Sequence, residues 1–197
     1  MKVFDKILKY DLCLGCGLCS SVIGSAKCSI LLSKNGFYRP VGNLGKKEDN
    51  IIEKICPGIC VINEKCNNIW GNLKYITEAW ATDEEIRYKA ASGGVVTSIA
   101  IYLLEQKAVD AIFQVGVRSD SYLYNELKVS RTKLEIMNNA QSRYAPAPIF
   151  DNIKQILDSS TEIYGFIGKP CDIAGLKNFM EVFPEYKHRI KIYISIF

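Results

Sequence analysis

The chain of 197 residues holds a single histidine, His188, set among charges in "PEYKHRIK" and read as a solvated loop residue. One poorly placed imidazole argues against histidine-based hydrolases and against a histidine-rich metal site. Long apolar runs are also missing: "IYISIF" and "VVTSIAIYLL" are too short or too polar to span a bilayer. Charge of one sign is scarce. With 25 Lys and Arg against 21 Asp and Glu, the net charge of +4 gives no strong pull toward nucleic acid or an anionic membrane. No charged-then-apolar leader opens the chain, and neither an internal repeat nor a low-complexity linker interrupts it. A cytoplasmic protein without a membrane span is expected.

What the chain does have is cysteine, eight in all, seven of them between Cys13 and Cys66. In a reducing compartment such clustering points to metal binding or redox chemistry before structural disulfides. The stretch "DLCLGCGLCSSVIGSAKC" sets Cys13, Cys16 and Cys19 at two-residue intervals, with Gly15 and Gly17 letting the backbone curl. This is ferredoxin spacing for a [4Fe–4S] cluster; a zinc site, which pairs cysteines two and two, and plain buried or disulfide-bonded cysteines are the alternatives. The fourth ligand is Cys28, by nearness, or Cys56, which precedes a proline as ferredoxin cysteines do; nearness favours Cys28. Cys60 and Cys66 read as small buried apolar residues near the metal or as further ligands. Cys171 stands apart: a ligand, with Cys56, of a second cluster, an inert core residue, or a thiolate stabilised by a helix N-terminus.

Composition divides the chain. Residues 1–75 are rich in cysteine and glycine, as where metal replaces a hydrophobic core. Within them "GFYRPVGN" reads as a short strand entering a turn, and "NIIEKICPGIC" as a helical turn or two stopped by Pro57-Gly58. Residues 76–197 read as an α/β domain. "SGGVVTSIAIYLLEQK" predicts a helix of about four turns, "AVDAIFQVGV" a buried strand, and "LYNELKVSRT" its antiparallel or edge partner. "APIFDNIKQILDS" predicts a helix, "EIYGFIG" a strand, "CDIAGLKNFMEVF" a helix and "RIKIYISIF" a final strand. The order implies a mainly parallel or mixed sheet flanked by helices. The apolar last strand suggests a chain that continues in a fuller protein.

"AASGGVVTSIA" places Ser92, Gly93 and Gly94 at the mouth of a long helix, with Ser92 as its N-cap and the free N–H groups as an anion site. The same glycines also suit a capped helix that merely packs tightly, and the motif is neither a Walker loop nor G-x-G-x-x-G. In "AQSRYAPAP", Arg143 suits a phosphate or carboxylate and Tyr144 a stacked ring; a surface arginine and a half-buried tyrosine are the plainer readings.

Taken in order, C-x2-C-G-x-C, "CPG", "SGGVVTSIAIYLLE", "SRYAPA" and "GKPCDIAGLKNF" resemble the coenzyme F420 hydrogenase/dehydrogenase beta-subunit family, over almost the whole chain. Its relatives include reductases of chlorophyll metabolism and proteins encoded near polysaccharide-biosynthesis genes. The resemblance implies a ferredoxin-like iron–sulfur domain (1–75) and a mixed α/β FAD-binding domain (76–197), incomplete at its C-terminal end. It implies an oxidoreductase that passes electrons between [4Fe–4S] clusters, one or two, and FAD to an organic acceptor such as coenzyme F420. A redox partner protein or ferredoxin would exchange electrons with it. By position, Ser92, Gly93, Gly94 and Thr97 would contact the flavin nucleotide, Arg143 and Tyr144 would lie near it, and Cys171 with Cys56 would serve a second cluster. The N-terminal segment would then fold over the Ser92–Thr97 turn. Two positions depart from the family pattern: Asp172 stands where glutamine is usual, and Lys169 where a small or hydroxyl residue is usual. The alternatives are a ferredoxin-like electron-carrier subunit without flavin and a zinc-bound structural domain.

Overall fold

The computed structural model of the chain describes residues 1–61, 69 and 71–196. It opens with helix α1 (Val3–Lys9) and the short α2 (Leu18–Ile23), which starts inside the cysteine motif. A hairpin follows, β1 (Cys28–Leu32) antiparallel to β2 (Tyr38–Gly42), with Cys28 opposite Gly42. Helix α3 (Lys46–Ile55) is longer than the turn or two expected. Glu48 and Asp49 in its first turn and Lys54 in its last match the helix dipole, and Cys56-Pro57 ends it. Asp49 also reaches back: its carboxylate accepts the N–H groups of Val3 at 2.9 Å and Phe4 at 2.8 Å, which fastens the start of α1 to α3.

The second half alternates as predicted. Helix α4 (Glu84–Lys89) is capped by Asp83, a one-turn 3-10 segment covers Ser92–Gly94, and α5 (Val95–Glu105) follows. Then come β3 (Ala111–Val117), β4 (Asn125–Ser130), α6 (Lys133–Asn138), α7 (Ile153–Ser159), β5 (Tyr164–Gly168), α8 (Pro170–Val182), a 3-10 segment (Pro184–Arg189) and β6 (Ile190–Ser195). The four later strands form one mixed sheet in the order β4-β3-β5-β6. β4 is antiparallel to β3, while β3, β5 and β6 run parallel, so their carboxyl ends share one edge. His188 is exposed, as read from its neighbours. Among the described residues no helix is long and apolar enough to cross a membrane.

Alternation along the strands divides the core between two faces. Phe113, Tyr164, Phe166 and Ile190 point to one face, covered by α7 and α8; Ile112 and Ile167 point to the other, covered by α5 and α6. Two residues from the cysteine-rich segment, Leu18 and Ile55, belong to the first of these cores. The N-terminal segment thus shares its core with the sheet. It adds a third small core of its own from Phe4, Ile7, Cys28, Leu44 and Ile52.

Candidate functional site

The segment carrying the cysteines is fastened at the carboxyl edge of the parallel strands. Phe150 donates its N–H to the Cys16 carbonyl at 2.8 Å, Lys154 donates its N–H to Ser21 Oγ at 3.0 Å, and Arg118, just past β3, donates to the Tyr38 hydroxyl at 3.1 Å. Gly17 makes this approach possible. Its φ is +82°, and a Cβ there would stand 2.9 Å from the Asp151 amide nitrogen.

Cys13, Cys16, Cys19 and Cys56 line one small apolar cavity together with side chains such as Phe4, Ile7, Leu18, Ile52 and Pro57. Three of these sulfurs face backbone N–H groups two residues further on. Gly15 donates to Cys13 Sγ at 3.4 Å, Leu18 to Cys16, and Gly58, together with Ile59, to Cys56. Such donors favour the thiolate, yet burial outweighs them: the Cys16 thiol is pushed up to about 12, and that of Cys56 is raised. Sulfurs held in apolar surroundings with N–H groups aimed at them are suited to thiolates whose charge a metal neutralises. Among the described residues no three Cys, His, Asp or Glu side chains converge on one ion-sized point. A donor set made of cysteines alone is of the kind that an iron–sulfur or a zinc group takes.

Cys28 adjoins this cavity through Cys19. It is fully buried in the small N-terminal core, and its sulfur is hydrogen-bonded with that of Cys19; this contact is the main reason the Cys19 thiol is raised and that of Cys28 lowered. Cys28 thus meets the lining through Cys19, while α3 returns Cys56 to the lining itself. Cys60 sits one turn beyond, its carbonyl accepting from Asn178 Nδ2 at 2.7 Å. Cys66 lies outside the described residues.

Cys171 occupies the first turn of α8, as the sequence indicates, but the expected stabilisation of its thiolate does not follow. Its thiol is raised, chiefly by burial and then by the neighbouring Asp172 carboxylate, against the lowering effect of Lys169 and the helix backbone. The two departures from the family pattern are partners. Asp172 is buried, and its Oδ2 accepts from the Lys169 N–H at 2.9 Å and from Lys169 Nζ at 2.7 Å. A buried carboxylate requires a cation, so the lysine accompanies the aspartate.

At the other site, the expected Ser92 N-cap is not formed. Ser92, Gly93 and Gly94 have φ of +51°, +68° and +76°, a left-handed turn in which Gly94 precedes the helix and no side chain caps it. The helix itself is three turns, since the turn before it is not α-helical. What packs on the turn is the segment just before it: a Cβ on Gly93 would lie 3.3 Å from Trp80 Cβ, and one on Gly94 3.0 Å from Ile86 Cγ2. Among the described residues the atoms nearest to these two glycines come from residues 79–86 and none from the cysteine loop. Because α5 leads through residues 106–110 into the start of β3, its own start lies toward the carboxyl edge. The cysteine cavity and the Ser92 turn thus approach the same edge from opposite faces, the edge where ligands of open α/β sheets bind.

Ser92 is exposed and Thr97 is buried in the first turn of α5. Arg143 and Tyr144 are exposed, Tyr144 at 96%, so the half-buried reading of that ring does not hold. Their loop is tied toward the turn by Gln141, whose Nε2 donates to the Lys89 carbonyl at 2.8 Å. The residue that sequence reasoning missed is Asn178, which links the loop after Cys56 to α8 by donating to the carbonyls of Cys60 and Ile55. A single polar residue in "GLKNFM" carries no signal of that role.

Comparison with known proteins bears on the second half most directly. Residues 76–154 match the family described as coenzyme F420 hydrogenase/dehydrogenase, beta subunit N-term. The coenzyme F420 hydrogenase subunit beta of Methanococcus voltae is 30% identical over 120 residues, covering 60% of this chain and 42% of the relative. A coenzyme F420-dependent sulfite reductase of Methanocaldococcus jannaschii is 23% identical over 189 residues, 95% of this chain and 28% of that one. A chain of the F420-reducing [NiFe] hydrogenase complex of Methanosarcina barkeri shares the fold with a TM-score of 0.54 and 23% identity, over 60% of this chain and 42% of its own length. The chain spans less than half the length of these relatives. The resemblance carried by the Ser-Gly-Gly and Ser-Arg-Tyr motifs is thereby supported: residues 76–154 are similar to the N-terminal family of coenzyme F420 hydrogenase/dehydrogenase beta subunits.

Proposed function

We propose that the chain is an iron–sulfur flavoprotein portion of a coenzyme F420-type oxidoreductase, with Cys13, Cys16, Cys19 and Cys56 holding one [4Fe–4S] cluster and the turn at Ser92, Gly93, Gly94 and Thr97 taking the phosphate-bearing part of FAD. The observation that carries it is the shared apolar cavity, lined by four cysteines, three of which receive backbone N–H groups two residues on. When bound, the cluster supplies one-electron steps and the flavin joins them to two-electron chemistry on an organic acceptor. The chain's own residues do the rest. Leu18, Ile52 and Pro57 exclude water from the sulfurs, and the loop N–H groups hold negative charge there. At the other site the exposed Arg143 guanidinium is available for a pyrophosphate and the Tyr144 ring for stacking. The names of the relatives favour a deazaflavin of the F420 class as the acceptor. Residues 1–75 and 76–197 are read as the cluster-bearing and flavin-bearing halves, joined by a common core. A redox partner protein is part of this reading.

The test is anaerobic reconstitution with iron, sulfide and FAD. The expected product holds about four irons and four sulfides per chain, and one FAD whose fluorescence is quenched. A colourless protein with stoichiometric zinc would overturn the reading.

A further inference from the structure

We propose that Asn125 and Gln141 are positioning residues, which hold the loop carrying Arg143 and Tyr144 beside the Ser92 turn and so set how tightly that site takes a nucleotide; this rests on the flavin reading above. Neither Arg143 nor Tyr144 places itself. Both are exposed, Tyr144 at 96%, and among the described residues neither side chain has a hydrogen bond, an ion pair or a ring contact. Their place is therefore set by the backbone on either side of them.

After the pair, Asn125 holds the chain. It is buried at the first position of β4, opposite Val117 at the carboxyl end of β3, and its Nδ2 donates to the Ala145 carbonyl at 2.9 Å. Pro146 and Pro148 follow, and each restricts the residue before it to extended backbone, which stiffens Ala145 and Ala147. Before the pair, Gln141 donates from Nε2 to the carbonyl of Lys89, three residues ahead of Ser92, at 2.8 Å. The backbone of Gln141 is left-handed, with φ of +83°, a costly conformation for a residue with a Cβ, and Ser92 across from it is left-handed too. Strain of this kind persists where the surroundings impose it. Asn139, whose Nδ2 donates to the Glu135 carbonyl at 2.9 Å, ties the base of the loop to α6. Only Ser142, Arg143 and Tyr144 are left between the two anchors. A ligand that offers an anion to the guanidinium and a ring to the tyrosine meets both already placed, so less disorder is lost when it binds.

The test uses the full chain with two readouts: FAD affinity by calorimetry and, without ligand, the rate of tryptic cleavage after Arg143, followed by mass spectrometry. Asn125→Ala and Gln141→Ala should each weaken FAD binding about tenfold and quicken cleavage after Arg143 several-fold. Gln141 is exposed, so its variant keeps the wild-type thermal midpoint and serves if Asn125→Ala fails to fold. Positioning shows in a double-mutant cycle: in a chain already carrying Arg143→Ala and Tyr144→Ala, Gln141→Ala should weaken FAD binding no further. Losses that add in that cycle, or a Gln141→Ala protein that binds FAD and resists trypsin as wild type does, would overturn the proposal. A chain that binds no FAD, yet is cleaved faster after Arg143 in the variants, would overturn the flavin reading and leave the anchoring of the loop standing.

Discussion

Leu18→Ala probes whether the cysteine motif and the sheet fold as one body. Leu18 lies between Cys16 and Cys19 in sequence, is 1% exposed, and belongs to the core that includes Ile55, Phe150, Phe166 and Leu176. Truncation removes a leucine's buried methyl groups and leaves a cavity walled by aromatic rings and by the backbone of the cysteine loop. A buried leucine in such a setting is worth about 3 kcal/mol, within a range of about 2–5. For a domain of this size that corresponds to a fall in Tm of roughly 6–12 °C. The assay is urea unfolding of the anaerobic holoprotein followed at once by far-UV circular dichroism and by cluster absorbance. Both signals should show one midpoint, displaced together to lower urea, while Leu134→Ala, at a side chain 68% exposed, leaves it in place. A change below about 0.5 kcal/mol, or cluster bleaching that shifts while the dichroism midpoint stays, would refute the shared core.

Asn178→Ala removes the donor that holds the Cys60 and Ile55 carbonyls. Because Asn178 Oδ1 is itself buried without a partner among the described residues, the net cost is modest, about 1 kcal/mol, but iron loss to a chelator should be faster than in wild type. Gly93→Val places a β-branched residue at φ +68° with its Cβ 3.3 Å from Trp80 Cβ. FAD affinity should fall more than about tenfold with iron content unchanged, and equal FAD retention would remove the turn from the site. The apoprotein has a pH signature. Folded Cys16 keeps its proton up to about 12, whereas the unfolded chain loses it near 9.0. The folded state therefore binds the extra proton between those values, and stability falls as pH rises through that window, by roughly 1.4 kcal/mol at about pH 10. Urea midpoints of the apoprotein that stay level from neutrality to that pH would contradict the burial of Cys16.

Much of the sheet was legible because period-two patterns and apolar runs are local. β3 reads as buried on both sides and is one of the two strands with neighbours on each. "LYNELKVSRT" alternates, and it is the antiparallel edge strand β4. Helix α6 was passed over although Thr132 and Glu135 form a capping box that its sequence spells out. Ser92 misled because a serine before an apolar run suggests an N-cap, whereas the two glycines after it allow the left-handed turn that displaces it. The fourth cysteine was the harder case. Separation along the chain favours Cys28, whose sulfur meets Cys19 from the small core, while the hairpin and α3 bring Cys56 to the cavity lining. Only the Cys-Pro pair in the sequence hinted at this. Of the three readings open for Cys171, a thiolate stabilised by helix position is opposed by its burial, which is tertiary, and by the adjacent Asp172.

The most direct test of the account compares Cys56→Ser with Cys28→Ser after anaerobic reconstitution, by iron and sulfide content and by the electron paramagnetic resonance of the reduced protein. The account predicts that Cys28→Ser retains a wild-type iron content and cluster signal, while Cys56→Ser loses them. Loss of the cluster in Cys28→Ser with its retention in Cys56→Ser, or full retention in both, would contradict the assignment of Cys13, Cys16, Cys19 and Cys56 as the ligands.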